Sequence, residues 1–457
     1  MSTGAATTEA DPIAGSAVYP AGTRVNERGR LEVGGCDVVE LAREFGTPAY
    51  IYATDDLRAR ARAYLAAFGS RSDDFEIVYA SKAAPITAVC RLFAGEGLGI
   101  DVASGGELHI ALAAGFDPAR IHMHGNNKSD RELRRAVEAG VGHVICDSLG
   151  EIERLDAICA EAGRRQAVLI RVTPAVEANT HTHIRTGQLD SKFGLGLAGG
   201  LAAAGIEAAL AADQLELVGL HAHIGSQILE LEPYARAIAA LGELADPSWC
   251  RILNVGGGLG IAYTRDDRPP SLDAYAEVKV EGVKRALDPP PRILVEPGRS
   301  LVGNAGITMY TVGAVKEIPG VRTYVAVDGG MSDNLRPMLY GARYEAVVAD
   351  RAGAPATRTV TVAGKHCESS DMVARDVALA DPRPGDVLVT PATGAYGHAM
   401  ANNYNAIPRP PVILCADGDA ELVVRRETNE DLTSRDVPPA SSASRPGAAG
   451  SAEGSAS

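Results

Sequence analysis

The sequence predicts an α/β protein: a (β/α)8 TIM-like barrel followed by a β-rich C-terminal domain. Three observations carry this expectation. Eight short apolar runs alternate with helical segments between about residues 48 and 305. Beyond residue 306 the helices thin out and strand-like runs take over. Unusual polar residues fall where the apolar runs of the first part stop, which is where a barrel keeps its chemistry.

Residues 1–16 and 438–457 (PPASSASRPGAAGSAEGSAS) are small and polar. Such segments bury too little apolar surface to offset their ordering entropy, so both are expected to be disordered tails. Residues 17–47 are expected to pack on the β domain, 48–305 to form the barrel and 306–437 the β domain. The runs of the barrel are Glu76–Ala80, Leu98–Val102, Arg120–His124, His143–Cys146, Ala167–Val172, Leu217–His223, Arg251–Val255 and Arg292–Val295. Between them, Leu57, Ala61, Tyr64, Leu65 and Phe68 make one apolar stripe in Thr54–Gly69, with Thr54 as expected cap and Gly69 as stop. Ser129–Glu132 and Ser148–Glu151 have capping-box spacing, closed by Gly140 and Gly163. An open doubly wound sheet shares this alternation and is the rival fold. In the second part, Ile307–Glu317, Val321–Val327, Thr357–Val362, Asp386–Thr390, Pro411–Cys415 and Glu421–Arg426 are expected strands. Asp417-Gly418 is a hairpin turn between the last two.

The 457 residues carry a net charge of -14, which argues against nucleic acid or an anionic membrane as partner. The seven cysteines are scattered with no CxxC pair, so neither a metal site nor a disulfide framework is expected. The first residues lack a basic stretch and an apolar core, and no uncharged run reaches the roughly 18 residues of a membrane span. A cytoplasmic protein is expected.

At the run ends stand Lys82, Asp101, His124-Gly125, Arg171, His221 and His223, Gly256-Gly257-Gly258, and Glu296. Capping and turns explain one or two such residues, not a whole rim. A lysine desolvated in a pocket loses pKa and becomes a nucleophile for an aldehyde. Lys82 (YASKA) is placed for that, with Lys192 and Lys365 as competitors. The glycine run lets backbone N–H groups approach an oxyanion, although a plain tight turn has the same composition. Glu296 (EPGRS) at a strand end needs a cation. A protonated pyridine nitrogen is one candidate and Arg299 the other.

YASKA, GIDVASGGEL, HGNNKSDREL, SKFG, HAHIGSQ, NVGGGLGI, EPGRS, DGGMSDNLRPMLYGA, KHCES and GAYGHAMANNYN follow one another in an order that resembles diaminopimelate decarboxylases. These belong to the fold-type-III pyridoxal-phosphate enzymes, with an alanine racemase-like barrel. The resemblance runs from about Gly46 to Thr428. It implies that Lys82 carries pyridoxal 5'-phosphate, His223 stacks on its ring and Glu296 pairs with its nitrogen. Gly257, Gly258, Ser226 and the backbone near Gly298 would hold the phosphate with help from Tyr396; Asp101, Pro297 and Arg299 would lie among the cofactor contacts. Arg299, Arg336 and Tyr340 would bind the carboxylate that the substrate keeps, with Tyr396 near the substrate and Glu368 on its distal amino group. Cys367 would donate a proton from the other subunit of a homodimer, as Glu368 would reach across it. No metal is implied. Ser81 replaces the commoner valine before the lysine, and Gly397-His398 departs from the pattern, which puts the pocket rim in doubt.

The reaction implied is decarboxylation of meso-diaminopimelate to lysine. A sister enzyme acting on ornithine, lysine, arginine or a carboxyspermidine-like compound is the near alternative, and Arg336 and the HCES sequence argue against it. A racemase is disfavoured because Glu296 would over-stabilise a carbanion. A non-catalytic cofactor-holding protein would have no use for Cys367 and Glu368.

Overall fold

Eight parallel strands close on themselves in chain order: β1 Phe75–Ala80, β2 Gly99–Val102, β3 Ile121–Met123, β4 His143–Cys146, β5 Gln166–Thr173, β6 Leu215–His221, β7 Ile252–Asn254 and β8 Arg292–Val295. Pairing of β8 with β1 and of β4 with β5 completes the ring, which excludes the open doubly wound sheet. The computed structural model describes residues 11–176 and 191–437, so 1–10 and 438–457 of the expected tails lie outside the described residues. Ile13 is buried in an apolar cluster, so the expected disorder of residues 1–16 does not extend that far.

Side chains alternate along each strand, so residues two apart share a face. Val78, Ile145, Leu169, Val218, Ile252 and Leu294 meet in one buried layer inside the barrel. Further along the strands stand Asp147, Arg171, Asn254 and Glu296, with Asn254 closing its strand and Asp147 and Glu296 just past theirs, so polar side chains gather towards the C-terminal rim. The packed layer forms the floor and the polar layer the cleft.

Helices between the strands start and stop largely as their sequences require. Ser129 and Glu132 form a reciprocal capping box, and Gly140 and Gly163 end their helices in the left-handed region. Ser148 accepts from the Glu151 amide, but the Glu151 carboxylate turns instead to Lys128 and the Asp147 amide. The helix Thr54–Gly69 begins after Ala53 with no side-chain cap, so Thr54 is its first residue and not its cap; Ser70 follows its end.

The second sheet runs in the order Met372–Leu379, Arg358–Ala363, Arg322–Val327, Gly306–Ile318, Ala49–Ala53, Val412–Ala416, Asp419–Val424. Val387–Thr390 also pairs with Gly306–Ile318. Asp417 and Gly418, both at positive φ, make the expected hairpin turn. Ala49–Ala53 falls in the stretch expected to open the barrel, yet it pairs antiparallel with Gly306–Ile318 and parallel with Val412–Ala416. Its five residues are all buried, so nothing in their pattern separates a barrel strand from a sheet centre. Leu31, Val33, Val38 and Leu41 share an apolar cluster with Ile307, Val389 and Ile413, which ties the N-terminal segment to this sheet.

Candidate active site

Lys82 lies in the short 3-10 turn Ser81–Ala83, directly after β1. Gly298 packs beneath that turn; a Cβ there would come within 2.9 Å of the Ala80 Cβ. The Ala80 amide donates to the Pro297 carbonyl (3.0 Å), so the EPGRS segment and the lysine turn are stitched together. The Lys82 side chain reaches solvent through the cleft mouth but is surrounded by protein. Desolvation pulls its pKa down, yet the charges of Asp101, Tyr396 and Glu296 outweigh that and the net direction is upward. The expectation of a lowered pKa is thereby corrected: without a bound carbonyl compound, the anionic rim keeps the amine protonated. Burial raises Asp101 to about 7, against the opposing pull of Lys82.

Glu296 sits just past β8 and does not pair with Arg299. Its carboxylate accepts from Asn254 Nδ2 at 2.6 Å, and lies 2.8 Å from His124 Nε2 and 3.2 Å from His221 Nε2. Burial alone would neutralise it, but the two imidazoles and their hydrogen bonds hold its pKa well below the carboxylate range. His221 is itself pushed down to about 4 by burial. An ionised, buried carboxylate at the centre of the cleft results. The three side chains could also geometrically embrace a metal ion.

Gly256 and Gly258 have φ of +61° and +104°, and a Cβ on Gly257 would lie 1.9 Å from the Glu296 carbonyl oxygen. Packing by itself therefore demands glycines, as the plain-turn alternative holds. The turn nevertheless offers donors: the Gly257 amide meets only His223 Nδ1 at 3.4 Å, and the Gly258 amide meets no acceptor among the described residues. His223 follows β6, and burial pushes its pKa well below the ordinary value, so it is a neutral ring.

Arg299 donates to Ser226 Oγ at 2.9 Å and to the Tyr263 hydroxyl, and its guanidinium lies 4.7 Å from the Tyr396 ring. Arg336, first residue of the helix Arg336–Tyr340, donates to the Tyr344 hydroxyl and lies 4.4 Å from the Tyr263 ring. Both are buried, at 7% and 3% exposure, and neither has a carboxylate partner among the described residues. Two desolvated cations held only by tyrosines make a receptor for an anion. Tyr263 and Tyr344 were missed in the sequence; an aromatic in GIAYT or GARYE has no signal of its own. Tyr340 ends the same short helix, half-buried, and makes no hydrogen bond to either arginine.

Cys367 and Glu368 are exposed on the loop between Arg358–Ala363 and Met372–Leu379. That loop is shaped by Asp371, which accepts from His366 Nδ1 (2.6 Å) and the Met331 amide (2.8 Å), while the Cys367 amide donates to Asn405 Oδ1 (2.8 Å). Of the competing lysines, Lys192 stacks on Phe193 and Lys365 is exposed on the same loop as Cys367. Tyr396 is held at φ +62° with its amide on the Ala83 carbonyl (2.7 Å), which sets its ring at the lysine turn.

A family model described as "Pyridoxal-dependent decarboxylase, pyridoxal binding domain" matches residues 54–303. Diaminopimelate decarboxylase of Bacillus subtilis is 48% identical over 427 residues, covering 91% of this chain and 97% of that protein. The chain belongs to the diaminopimelate decarboxylase family. The family's enzyme in Mycobacterium tuberculosis is 45% identical over 440 residues, with 92% and 98% covered. A crystal structure of the family's enzyme from M. jannaschii in complex with L-lysine superposes with a TM-score of 0.86 at 34% identity, over 91% of this chain and 98% of that one. The match spans the barrel and the β domain, so this decarboxylase family accounts for both parts of the fold. Among the described residues, no helix is long and apolar enough to cross a membrane.

Proposed function

We infer that this chain is a carboxy-lyase that converts meso-diaminopimelate to lysine and carbon dioxide with pyridoxal 5'-phosphate. The observation that carries the substrate is the pair of buried guanidiniums, Arg299 and Arg336, with no acid of their own. A diamino acid with two carboxylates needs such a cationic end for the group it keeps; a substrate ending in an amine would leave both cations buried and uncompensated.

The residues present fit the cofactor: an amine at a strand end, an ionised carboxylate fixed by two imidazoles, and a glycine turn with an unpaired amide. Lys82 would carry it, Gly257, Gly258 and Ser226 would hold its phosphate, and His223 would lie against its ring. When bound, it supplies an aldehyde for the substrate amine and a ring that accepts the electron pair left when carbon dioxide departs. Glu296, kept ionised, would pair with a protonated ring nitrogen. Asp101, whose carboxyl is raised to about 7 by burial, would lie among the cofactor contacts. Arg336 and Arg299 orient the distal carboxylate and leave the reacting carbon towards Lys82.

Cys367 returns a proton to the reacting carbon and Glu368 binds the distal amino group, both from the second subunit of a homodimer. Their exposure on a hydrogen-bonded loop supports this, since a free protomer has no use for a rigid exposed thiol there. All seven cysteines are free, which supports a cytoplasmic location.

Carbon dioxide release from meso-diaminopimelate, lysine, ornithine and arginine tests the reading. Turnover should be confined to diaminopimelate. Faster release from ornithine or arginine would overturn the substrate assignment.

A further inference from the structure

A lysine that this chemistry does not use is buried under the glycine turn. Lys279, in the helix Leu272–Ala286, has no exposed surface. Its Nζ donates to the carbonyl oxygens of Val255 and, at 2.8 Å, of Gly256. The Tyr234 and Tyr275 rings flank it at 4.9 and 4.7 Å, and it has no carboxylate partner among the described residues. A lysine tying a helix to a barrel would serve equally well on any strand end, but this one selects the two carbonyls that precede the turn.

The consequence follows from peptide geometry. The C=O and N–H of one trans peptide point in opposite directions. Fixing the Val255 carbonyl on Lys279 turns the Gly256 N–H away, where Asn254 Oδ1 takes it at 3.0 Å. Fixing the Gly256 carbonyl likewise turns the Gly257 N–H to the opposite side, where it meets His223 Nδ1 at 3.4 Å. The Gly256 carbonyl also accepts from the Glu296 amide at 3.1 Å, so the same peptide joins the turn to the strand that carries the central acid. Glycine peptides resist rotation weakly, and this turn is made of them.

We propose that Lys279 is a positioning residue for the phosphate of the cofactor, holding the peptide between Gly256 and Gly257 so that the Gly257 N–H faces the cleft. The proposal rests on the reading that this turn binds the phosphate. It does not depend on whether the amine is charged, because both forms donate N–H.

The test compares two aldehydes that differ only in the phosphate. Protein freed of cofactor is titrated with pyridoxal 5'-phosphate and with pyridoxal, following visible absorbance, for wild type, Lys279→Met and Lys279→Gln. Loss of a donor array to a charged group should weaken binding of the phosphorylated form by about tenfold or more in Lys279→Met. Pyridoxal binding should stay within about twofold, and Lys279→Gln, which retains N–H donors, should recover part of the loss. Equal weakening of both aldehydes, or no weakening of either, overturns the proposal. If Lys279→Met does not fold, Lys279→Gln carries the same comparison: selective weakening of the phosphorylated aldehyde supports the proposal, and a ratio equal to wild type overturns it. Wild type binding both aldehydes equally well would instead sink the assignment of the turn to the phosphate, and the role of Lys279 with it.

Discussion

Replacing Arg336 by methionine tests the substrate assignment with little risk to the fold. The guanidinium is 3% exposed, donates to Tyr344 and stacks 4.4 Å over Tyr263. Losing that stacking and hydrogen bond costs about 2 kcal/mol. Removing a buried cation that has no anion in the free protein returns a similar amount, so the two effects nearly cancel. The melting temperature should therefore shift by no more than about 5 °C. Catalysis responds differently. A guanidinium on a carboxylate contributes charge-assisted hydrogen bonds of roughly 1.5–3 kcal/mol each, so the loss in kcat/KM for meso-diaminopimelate should be about a hundredfold. The assay is carbon dioxide release under kcat/KM conditions, beside a titration with pyridoxal 5'-phosphate, whose affinity should be unchanged. Retention of kcat/KM to within twofold, or an equal loss of cofactor affinity, would refute the assignment of Arg336 to the distal carboxylate.

Three further outcomes are expected. Lys82→Ala should abolish the visible absorbance of the bound cofactor; persistence of that band would move the link to Lys192 or Lys365. Mixing inactive Lys82→Ala with inactive Cys367→Ala subunits should restore about a quarter of wild-type activity, because half of the dimers would contain one intact site; no recovery after subunit exchange would place Cys367 outside the partner's site. At the opposite end of the barrel, His122 and His143 face each other with Nδ1 atoms 3.0 Å apart, and burial pushes both down to about 3. Native rings therefore stay neutral while unfolded ones take up protons below about pH 6.5, so stability falls as pH drops from about 6.5 towards 3. His143→Gln should reduce the slope of denaturation free energy against pH in that window by about one proton, read from urea melts; an unchanged slope would refute the neutral pair.

The barrel was legible because each strand is short, apolar and bounded by a capped helix, and because its polar residues come at the stops. Those signals are local. What escaped was set by pairing at long range. Ala49–Ala53 carries no alternation, so its membership of the second sheet is decided by Gly306–Ile318 and Val412–Ala416, not by its own residues. Met372–Leu379 was missed because Arg375 and Asp376 interrupt it, with Asp376 at φ +53° where the pairing register shifts. In the cleft, Lys82, Glu296 and the glycine run could be found from position and chemistry alone. The direction of the Lys82 shift could not, because it depends on which anions surround the amine. Tyr263, Tyr344 and Lys279 escaped for a related reason: each acts through a contact with a residue distant in sequence.

The electrostatic layout explains how one cleft keeps two carboxylates of a substrate apart. Its deep centre is held negative by Glu296, whose neighbours His124 and His221 satisfy the carboxylate. The two guanidiniums, neither with a carboxylate partner among the described residues, lie together on Tyr263, and Arg299 also donates to Ser226. With the cofactor bound, Glu296 would be paired by the ring nitrogen, so it is the two desolvated cations that decide where a substrate carboxylate settles. The carboxylate held by the arginines is thus the one that stays, and the other is the one left to depart. Glu296→Gln, which cannot keep that nitrogen charged, should lower kcat for meso-diaminopimelate while its KM stays within about twofold, a split that simple damage to the fold would not produce. A rise in KM alongside the loss of kcat would show that Glu296 also helps to hold the substrate, against its assignment to the ring nitrogen alone.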